Sequence, residues 1–165
     1  AVGSDLNAAF DWPEREPALR LRTVQVNTQQ DAKQVTWIGA GRLFARSGAG
    51  NNLKPLAMAD GALQWDVLLA TPPQGATTVS MGCGHDCVGS LDLGPTLSAI
   101  APGTKRTLKI PLACFGARGT DLANVDMPFA ISASAPFAAA FADIRIVAGA
   151  AHDPDALSCE ALGPH

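Results

Sequence analysis

The sequence has no tyrosine, few charged residues and no apolar run long enough to cross a membrane. Charged residues make up 16% of the 165 residues. The longest apolar stretches are interrupted by Gly, Pro or charge, whereas a membrane helix needs about 20 consecutive apolar residues. The 12 lysines and arginines are spread singly along the chain, and the net charge is -3. This pattern argues against nucleic acid and membrane as partners, because neither would meet a basic patch.

Catalytic motifs are also absent. The three histidines, His85, His152 and His165, stand in neither a GxSxG nor an HExxH motif, which argues against a Ser-His-Asp site or a zinc peptidase. Paired carboxylates for glycoside hydrolysis are the alternative, because several aspartates can converge in a fold. The candidates are Asp60, Asp66, Asp92, Asp121, Asp126 and Asp143. Each has a plainer role in a turn, a cap, a loop or an outward strand position, so this chain alone is predicted not to be an enzyme.

The composition that remains is typical of a folded, turn-rich β protein. Hydrophobic residues make up 47%, with 16 glycines and 12 prolines. From Leu19 onward, strand patterns of about five to eight residues follow one another between Gly, Pro, Asn and Asp, with no long amphipathic helix between them. About nine strands are expected, the number of a two-sheet jelly roll. We therefore predict an all-β fold, an antiparallel two-sheet β-sandwich with one or two short helices.

The clearest strand patterns lie in residues 106–147. Period-2 alternation predicts a shared buried face for Leu63, Trp65, Leu108, Ile110, Phe129, Ile131, Ile144 and Ile146. Thr120 and Asp121 are placed to cap a short helix beginning near Leu122.

Residues 1–18 are interpreted as a connector, and residues 19–165 as the sandwich domain. Pro13 and Pro17 break regular structure in the connector, and Trp12 is expected to pack it against the sandwich. The chain starts at Ala1 without a methionine or a leader pattern, so we expect it to be either processed or a piece of a longer chain. The second alternative is favoured.

A polar surface is predicted on one sheet. Gln34, Thr36, Gln64 and Asp66 alternate with the apolar residues of their strands. Amides and carboxylates of this kind bind sugar hydroxyls, usually beside an aromatic side chain that covers the apolar sugar face. Trp37 shares its parity with Val35, which favours the core, but it also precedes a turn. We therefore include it as a candidate at the rim of this surface.

The four cysteines, Cys83, Cys87, Cys114 and Cys159, allow three fully paired connectivities. Cys83 and Cys87 flank a turn-forming Gly-His-Asp triplet that would place them at disulfide distance. That pairing leaves Cys114 to Cys159. The rival interpretation is a zinc site formed by Cys83, His85, Cys87 and Cys114, although three of these ligands crowd into five residues. Disulfides are favoured, and they indicate a periplasmic or secreted protein.

No cofactor or metal is expected, with calcium as the one alternative. Asp143, and Asp121 with Asn124 and Asp126, offer hard oxygen ligands, but no EF-hand spacing is present.

Several stretches resemble a known family. The final strands, with IPL followed by Cys-Phe, a Pro-Phe strand and Ala-Asp-Ile-Arg-Ile-Val, resemble the C-terminal galactose-binding-like domain of bacterial family 3 glycoside hydrolases of the exo-β-glucanase (ExoP) type. VTWIGAGRL at 35–43 and VSMGCGHDCVGSLDL at 79–93 are similar to the same family. The resemblance covers most of residues 19–147 and rests on structural motifs. The parent family's catalytic barrel needs about 250 residues, so it is not contained in this chain.

The resemblance implies a non-catalytic module that binds β-glucan or gluco-oligosaccharide beside the catalytic domains of its parent enzyme. The alternative is a structural or dimer-forming domain that binds no sugar. An exposed aromatic beside polar groups would favour the first function, and an exposed apolar patch without such an aromatic would favour the second.

Overall fold

The computed structural model describes residues 3–5, 19–26, 29–37, 40–45, 50–84 and 87–162, and these fold into two antiparallel β-sheets. The strands are β1 (Gly3–Asp5), β2 (Leu19–Val26), β3 (Gln29–Trp37), β4 (Gly41–Ala45), β5 (Ala62–Thr71), β6 (Thr77–Gly82), β7 (Val88–Asp92), β8 (Lys105–Pro111), β9 (Met127–Ala133) and β10 (Phe137–Val147). The predicted all-β antiparallel sandwich is confirmed.

Among the described residues, the large sheet has six strands. Its order is β2-β3-β10-β5-β8, and β1 pairs separately with β10. The small sheet has four strands in the order β4-β9-β6-β7. The last strand of the chain, β10, therefore lies in the middle of the large sheet between β3 and β5, and β8 forms an edge. This order places residues from both ends of the chain side by side.

The core lies between the sheets. All eight residues whose burial was predicted from period-2 parity are at most 6% exposed. Aromatic rings join the two layers: the centroids of Trp65 on β5 and Phe129 on β9 are 5.2 Å apart, and Phe129 lies 6.2 Å from Phe141 on β10. Edge-to-face pairs of this kind add to the stabilisation that burial itself provides.

The described residues contain three short α-helices: α1 (Lys54–Met58), α2 (Gly94–Ser98) and α3 (Leu112–Ala117). Pro55 and Pro95 stand in the first turns of α1 and α2, where a missing N–H costs no hydrogen bond. The sequence predicted one or two short helices, fewer than the three that the structure has in its described residues.

The helical segment expected near Leu122 is only a turn in the structure, and of the two predicted capping residues only Asp121 bonds to it. The Thr120 hydroxyl donates to the Met81 carbonyl (2.8 Å) and accepts from the Gly89 N–H (2.9 Å). Asp121 accepts the Ala123 N–H at 3.0 Å and so closes a turn. The helical segment of this loop is α3, which directly follows β8.

The predicted connector overlaps the sheet at one place, because Gly3–Asp5 forms β1 and pairs with Arg145–Val147. Residues 6–18, and Trp12 among them, lie outside the described residues. The proposed boundary at residue 18 therefore stays a prediction.

Two disulfides are present, Cys83–Cys87 and Cys114–Cys159, and no cysteine is free. The first joins the two strands of the β6–β7 hairpin, and the second ties the C-terminal segment to α3. The four sulfurs are bonded in two pairs and so are not available as zinc ligands, which rules out the rival zinc interpretation. His85, the fourth ligand of that interpretation, lies outside the described residues. Among the helices that the structure describes, none is long and apolar enough to span a membrane.

Candidate functional site: the outer face of the large sheet and the groove at its edge

The predicted polar residues lie on two strands of the large sheet that β10 separates. Gln34 pairs with Ala140, and Thr36 pairs with Ala138, on one side of β10. On its other side, Asp66 pairs with Ala142. The structure therefore places the four residues on one sheet but divides them into two pairs.

The centre of this outer face is apolar. Ala138, Ala140 and Ala142 are 9%, 2% and 1% exposed, and Leu68 packs against the last two. These three alanines occupy alternate positions of β10, and alternate residues of a strand lie on the same face. The polar groups consequently flank an apolar centre instead of forming a continuous polar surface.

Asp66 is committed to partners within the protein. Its side chain accepts a 2.6 Å hydrogen bond from the Thr107 hydroxyl and lies 3.4 Å from the Lys105 ammonium, and the residue is only 8% exposed. Charge-assisted hydrogen bonds of this kind hold a carboxylate in place. Gln64 and Thr36 are half-buried, so they keep some exposed surface for a ligand.

The prediction that Trp37 lies at the rim of the outer face is wrong. Its side chain is 1% exposed and stacks on Phe137 with ring centroids 4.4 Å apart. Its indole N–H donates to the Gly41 carbonyl at 3.0 Å, so the one polar atom of the ring is satisfied inside the fold. Trp37 is a core residue and cannot serve as a sugar platform.

No exposed aromatic side chain lies on this outer face among the residues that the structure describes. Six described aromatic residues are at most 1% exposed: Trp37, Trp65, Phe115, Phe129, Phe137 and Phe141. Phe44 is half-buried and lies on the small sheet, where the Arg42 guanidinium lies 4.9 Å from its ring centroid. An aromatic beside a polar group is thus present, but on the opposite sheet from the predicted site.

Three of the four calcium candidates lie together at one end of the small sheet. Asp121, Asn124 and Asp126 line a cleft of ≈ 340 Å³ beside the Cys83–Cys87 disulfide. One oxygen of Asp126 accepts the Gly84 N–H at 3.2 Å. No group of three or more His, Cys, Asp or Glu able to hold a metal occurs in the described part of the chain.

The fourth candidate, Asp143, lies elsewhere. It is at a bulge of β10 with a φ of 55°, and its carboxylate lies 3.5 Å from the Arg145 guanidinium. It is therefore not brought to the cleft, and calcium stays the alternative to the predicted absence of a metal.

A larger groove, which sequence reasoning missed, lies at the free edge of β8 and has a volume of ≈ 530 Å³. Ile100 and Leu108, each 6% exposed, are apolar residues of its lining. The remaining lining residues are Thr96 and Ala99 from the region of α2, Lys105, Arg106 and Thr107 from β8, and Asp155 and Leu157 from the C-terminal segment. The groove adjoins the predicted face, because Lys105 and Thr107 are the partners of Asp66.

The C-terminal segment is held against β8 by charge and by a backbone bond. The Lys109 ammonium lies 2.9 Å from Asp153 and 2.8 Å from Asp155, and the Leu157 N–H donates to the Lys109 carbonyl at 2.9 Å. The hydrogen bonds to Asp155 and then Asp153 raise the pKa of Lys109. The hydrogen bond from Lys109 lowers the pKa of Asp155. These contacts fix one wall of the groove.

The two packed antiparallel sheets form a β-sandwich, the fold of the galactose-binding-like class. A family model named Exop_C, described as galactose-binding domain-like, matches residues 7–146. The chain therefore belongs to this family.

Solved structures show the same fold at low sequence identity. The exo-1,3/1,4-β-glucanase ExoP of a Pseudoalteromonas species superposes with a TM-score of 0.70 and 18% identity over 86% of this chain and 17% of that enzyme. Its extra C-terminal domain alone gives a TM-score of 0.68 and 18% identity over 86% of this chain and 76% of that domain. A family 30 carbohydrate-binding module from a cellulosomal cellulase of Clostridium thermocellum gives 0.61 and 14%, over 84% and 86%. No curated protein matches the chain.

Proposed function

We propose that this chain is a non-catalytic carbohydrate-binding module that serves a β-glucan-degrading family 3 glycoside hydrolase. The observation that carries the proposal is the match to the extra C-terminal domain of an exo-1,3/1,4-β-glucanase over 86% of this chain, within a family whose model covers residues 7–146. The similarity to a family 30 carbohydrate-binding module supports the same function class. The ligand in this proposal is β-glucan or a gluco-oligosaccharide, and the partners are the catalytic domains of the parent enzyme.

The two disulfides support a periplasmic or secreted location for the module. Disulfides form and persist in oxidising compartments and are rare in the cytosol. With all four cysteines paired, the chain carries no free thiol that would require a reducing environment.

The second candidate function is a structural domain that braces the catalytic domains or forms a dimer and binds no sugar. The observation that favours it is that no exposed aromatic side chain lies on the outer face of the large sheet among the described residues. A face without such a side chain offers no platform for stacking on a sugar ring.

Binding of neutral glucans by the isolated domain separates the two functions. Titration calorimetry with cello-oligosaccharides and laminarin should show weak binding, because each hydrogen bond nets only about 0.5 to 1.5 kcal/mol. Gln64→Ala should weaken it, since Gln64 is one of the two predicted contacts that are half-buried and keep some exposed surface. The matched control is Gln74→Ala, an exposed glutamine in the turn before β6. If no glucan produces heat with the unmutated domain, the structural function replaces the binding function.

A further inference from the structure

The groove at the edge of β8 exposes backbone groups that no other strand of the described residues uses. Leu112 donates its N–H to Gly61 on the β5 side, whereas the Lys109 carbonyl accepts from Leu157 on the opposite side. Along an antiparallel strand, the backbone N–H and C=O groups of successive residues point alternately to the two neighbouring positions in the sheet. Lys105 and Thr107 therefore direct their backbone groups away from β5, as Lys109 does. Outside the pairing of β8 with β5, no backbone hydrogen bond of Lys105 or Thr107 occurs among the described residues. One donor and one acceptor per residue are thus presented to the groove.

The side chains around the groove add hydrogen-bonding groups of both kinds. Arg106 is exposed and makes no ion pair among the contacts of the described residues, so its guanidinium donors are available. Asp155 supplies a carboxylate on the opposite wall. Ala99, which is exposed, and Leu157, which is half-buried, contribute apolar surface to the groove, above the buried Ile100 and Leu108.

The charges at the groove cancel. The cations are Lys105, Arg106 and Lys109, and the carboxylates are Asp66, Asp153 and Asp155, with Lys105 and Lys109 already paired to carboxylates. A strongly charged ligand would find no net field of opposite sign. A neutral ligand whose groups both donate and accept hydrogen bonds fits these walls, and that is the chemistry of sugar hydroxyls.

We propose that the groove between β8 and α2 is a binding site for a neutral β-glucan segment, a proposal that rests on the carbohydrate-binding function given above. An apolar face of the sugar ring lies on Ala99 and Leu157, the apolar lining residues that keep exposed surface. The hydroxyl edges bond to the backbone of Thr107, the guanidinium of Arg106 and the carboxylate of Asp155. A volume of ≈ 530 Å³ is within the range of small-molecule sites, about 300 to 1,000 Å³, and apolar lining with a few placed polar groups is their usual composition.

Two variants test the groove by calorimetry on the isolated chain with cello-oligosaccharides and laminari-oligosaccharides. Ala99→Glu places a larger, charged side chain at an exposed lining position, and Arg106→Ala removes the unpaired guanidinium. Ala117→Glu, at the exposed end of α3, and Lys54→Ala, at an exposed position of α1, are the matched controls. We expect Arg106→Ala to weaken binding by about tenfold or more, the size of a lost charge-assisted hydrogen bond, and Ala99→Glu to weaken it by obstructing the groove. Both controls should bind as the unmutated chain does.

The outcomes separate this site from the function on which it rests. If glucan binds the groove variants and the unmutated chain equally well, the groove is not the site, while carbohydrate binding stands. If no neutral glucan binds the unmutated chain, both proposals fall. Amide chemical shifts of the unmutated chain give an independent answer should a variant fail to fold. Glucan-induced shifts at Ile100, Thr107 and Leu157 support the groove, and shifts confined to other residues overturn it.

Discussion

Ile110 shows what a single core side chain contributes at the residue scale. It lies on β8 and is 0% exposed, within the hydrophobic cluster that joins both sheets. Ile110→Ala should lower the free energy of unfolding by about 2 to 5 kcal/mol, because it leaves a cavity in a close-packed interior. Urea denaturation measures this loss. Met58→Ala is the control, since Met58 is 85% exposed and should change stability by no more than about 0.5 kcal/mol. A loss well under 1 kcal/mol for Ile110→Ala would contradict its assignment to the core.

The face of a strand on which each side chain lies could be predicted from the sequence. The residues that pack against the end of a strand could not. Trp37 has the parity of Val35, and both are buried. Whether its ring meets solvent depends on Phe137 and Phe141, which lie about a hundred positions further along the chain and pair with β3 only in the fold. The commitment of Asp66 to Lys105 and Thr107 depends in the same way on the pairing of β5 with β8.

The C-terminal segment is the element whose attachment to the sandwich depends on pH. Asp155 has a lowered pKa, so its contribution to stability is present above its usual value of 3.8 and is lost as the pH falls through the lower folded value. Lys109 has a raised pKa, so its contribution is present below its usual value of 10.5 and is lost as the pH rises through the higher folded value.

Lys109→Met should therefore lower the melting temperature most between these limits. The difference from the unmutated chain should narrow below about pH 3.8 and above about pH 10.5. Melting curves across this pH range measure the difference. Lys54→Met, on the exposed helix α1, serves as the control, because no ion pair of Lys54 occurs among the described contacts. A difference for Lys109→Met that stays constant from pH 3 to pH 7 would contradict the assigned ion pairs.

The same segment is tied by the longer disulfide. Cys114 and Cys159 are 45 positions apart, whereas Cys83 and Cys87 are four apart. In the chain-entropy model, replacing the long pair by serines should cost about 4 kcal/mol and replacing the short pair about 2 kcal/mol. Chemical denaturation of the two double variants gives both values. An equal or larger loss for the short pair would show that loop closure does not dominate.

The groove could not be predicted from the sequence, because the elements that form it are far apart along the chain. Its walls come from α2, β8 and a segment beyond β10, and no local pattern indicates that these meet. The individual strands carried clear period-2 signals, but the position of β10 between β3 and β5 is a long-range pairing. The fold class and the core faces of the strands could therefore be predicted from the sequence, whereas the cavities between elements could not.

At the scale of the whole molecule, the chain spans 17% of the ExoP enzyme and 76% of its extra C-terminal domain. The correspondence is thus between one domain and another. A catalytic (β/α)₈ barrel needs about 250 residues, more than the 165 of this chain.

The isolated chain should therefore hydrolyse no glycoside. Glycosidases need two carboxyl groups facing one sugar bond, one of them with a raised pKa so that it can act as an acid. Here the carboxylates already serve the fold: Asp66 binds Lys105 and Thr107, Asp121 and Asp126 each accept a backbone N–H, and Asp60 lies 2.7 Å from His152. The pKa of Asp155 is lowered by Lys109, the opposite of what a general acid requires.

Release of nitrophenol from an aryl β-glucoside, with a β-glucosidase as the positive control, measures the activity directly. We expect no release above the uncatalysed rate. Turnover by the pure chain that disappears on substitution of one aspartate by asparagine would mean that a catalytic pair exists in this sandwich. Binding without turnover, measured on the same preparation, is the combination that an accessory module must show, because its contribution is to hold glucan near a catalytic site that another domain supplies.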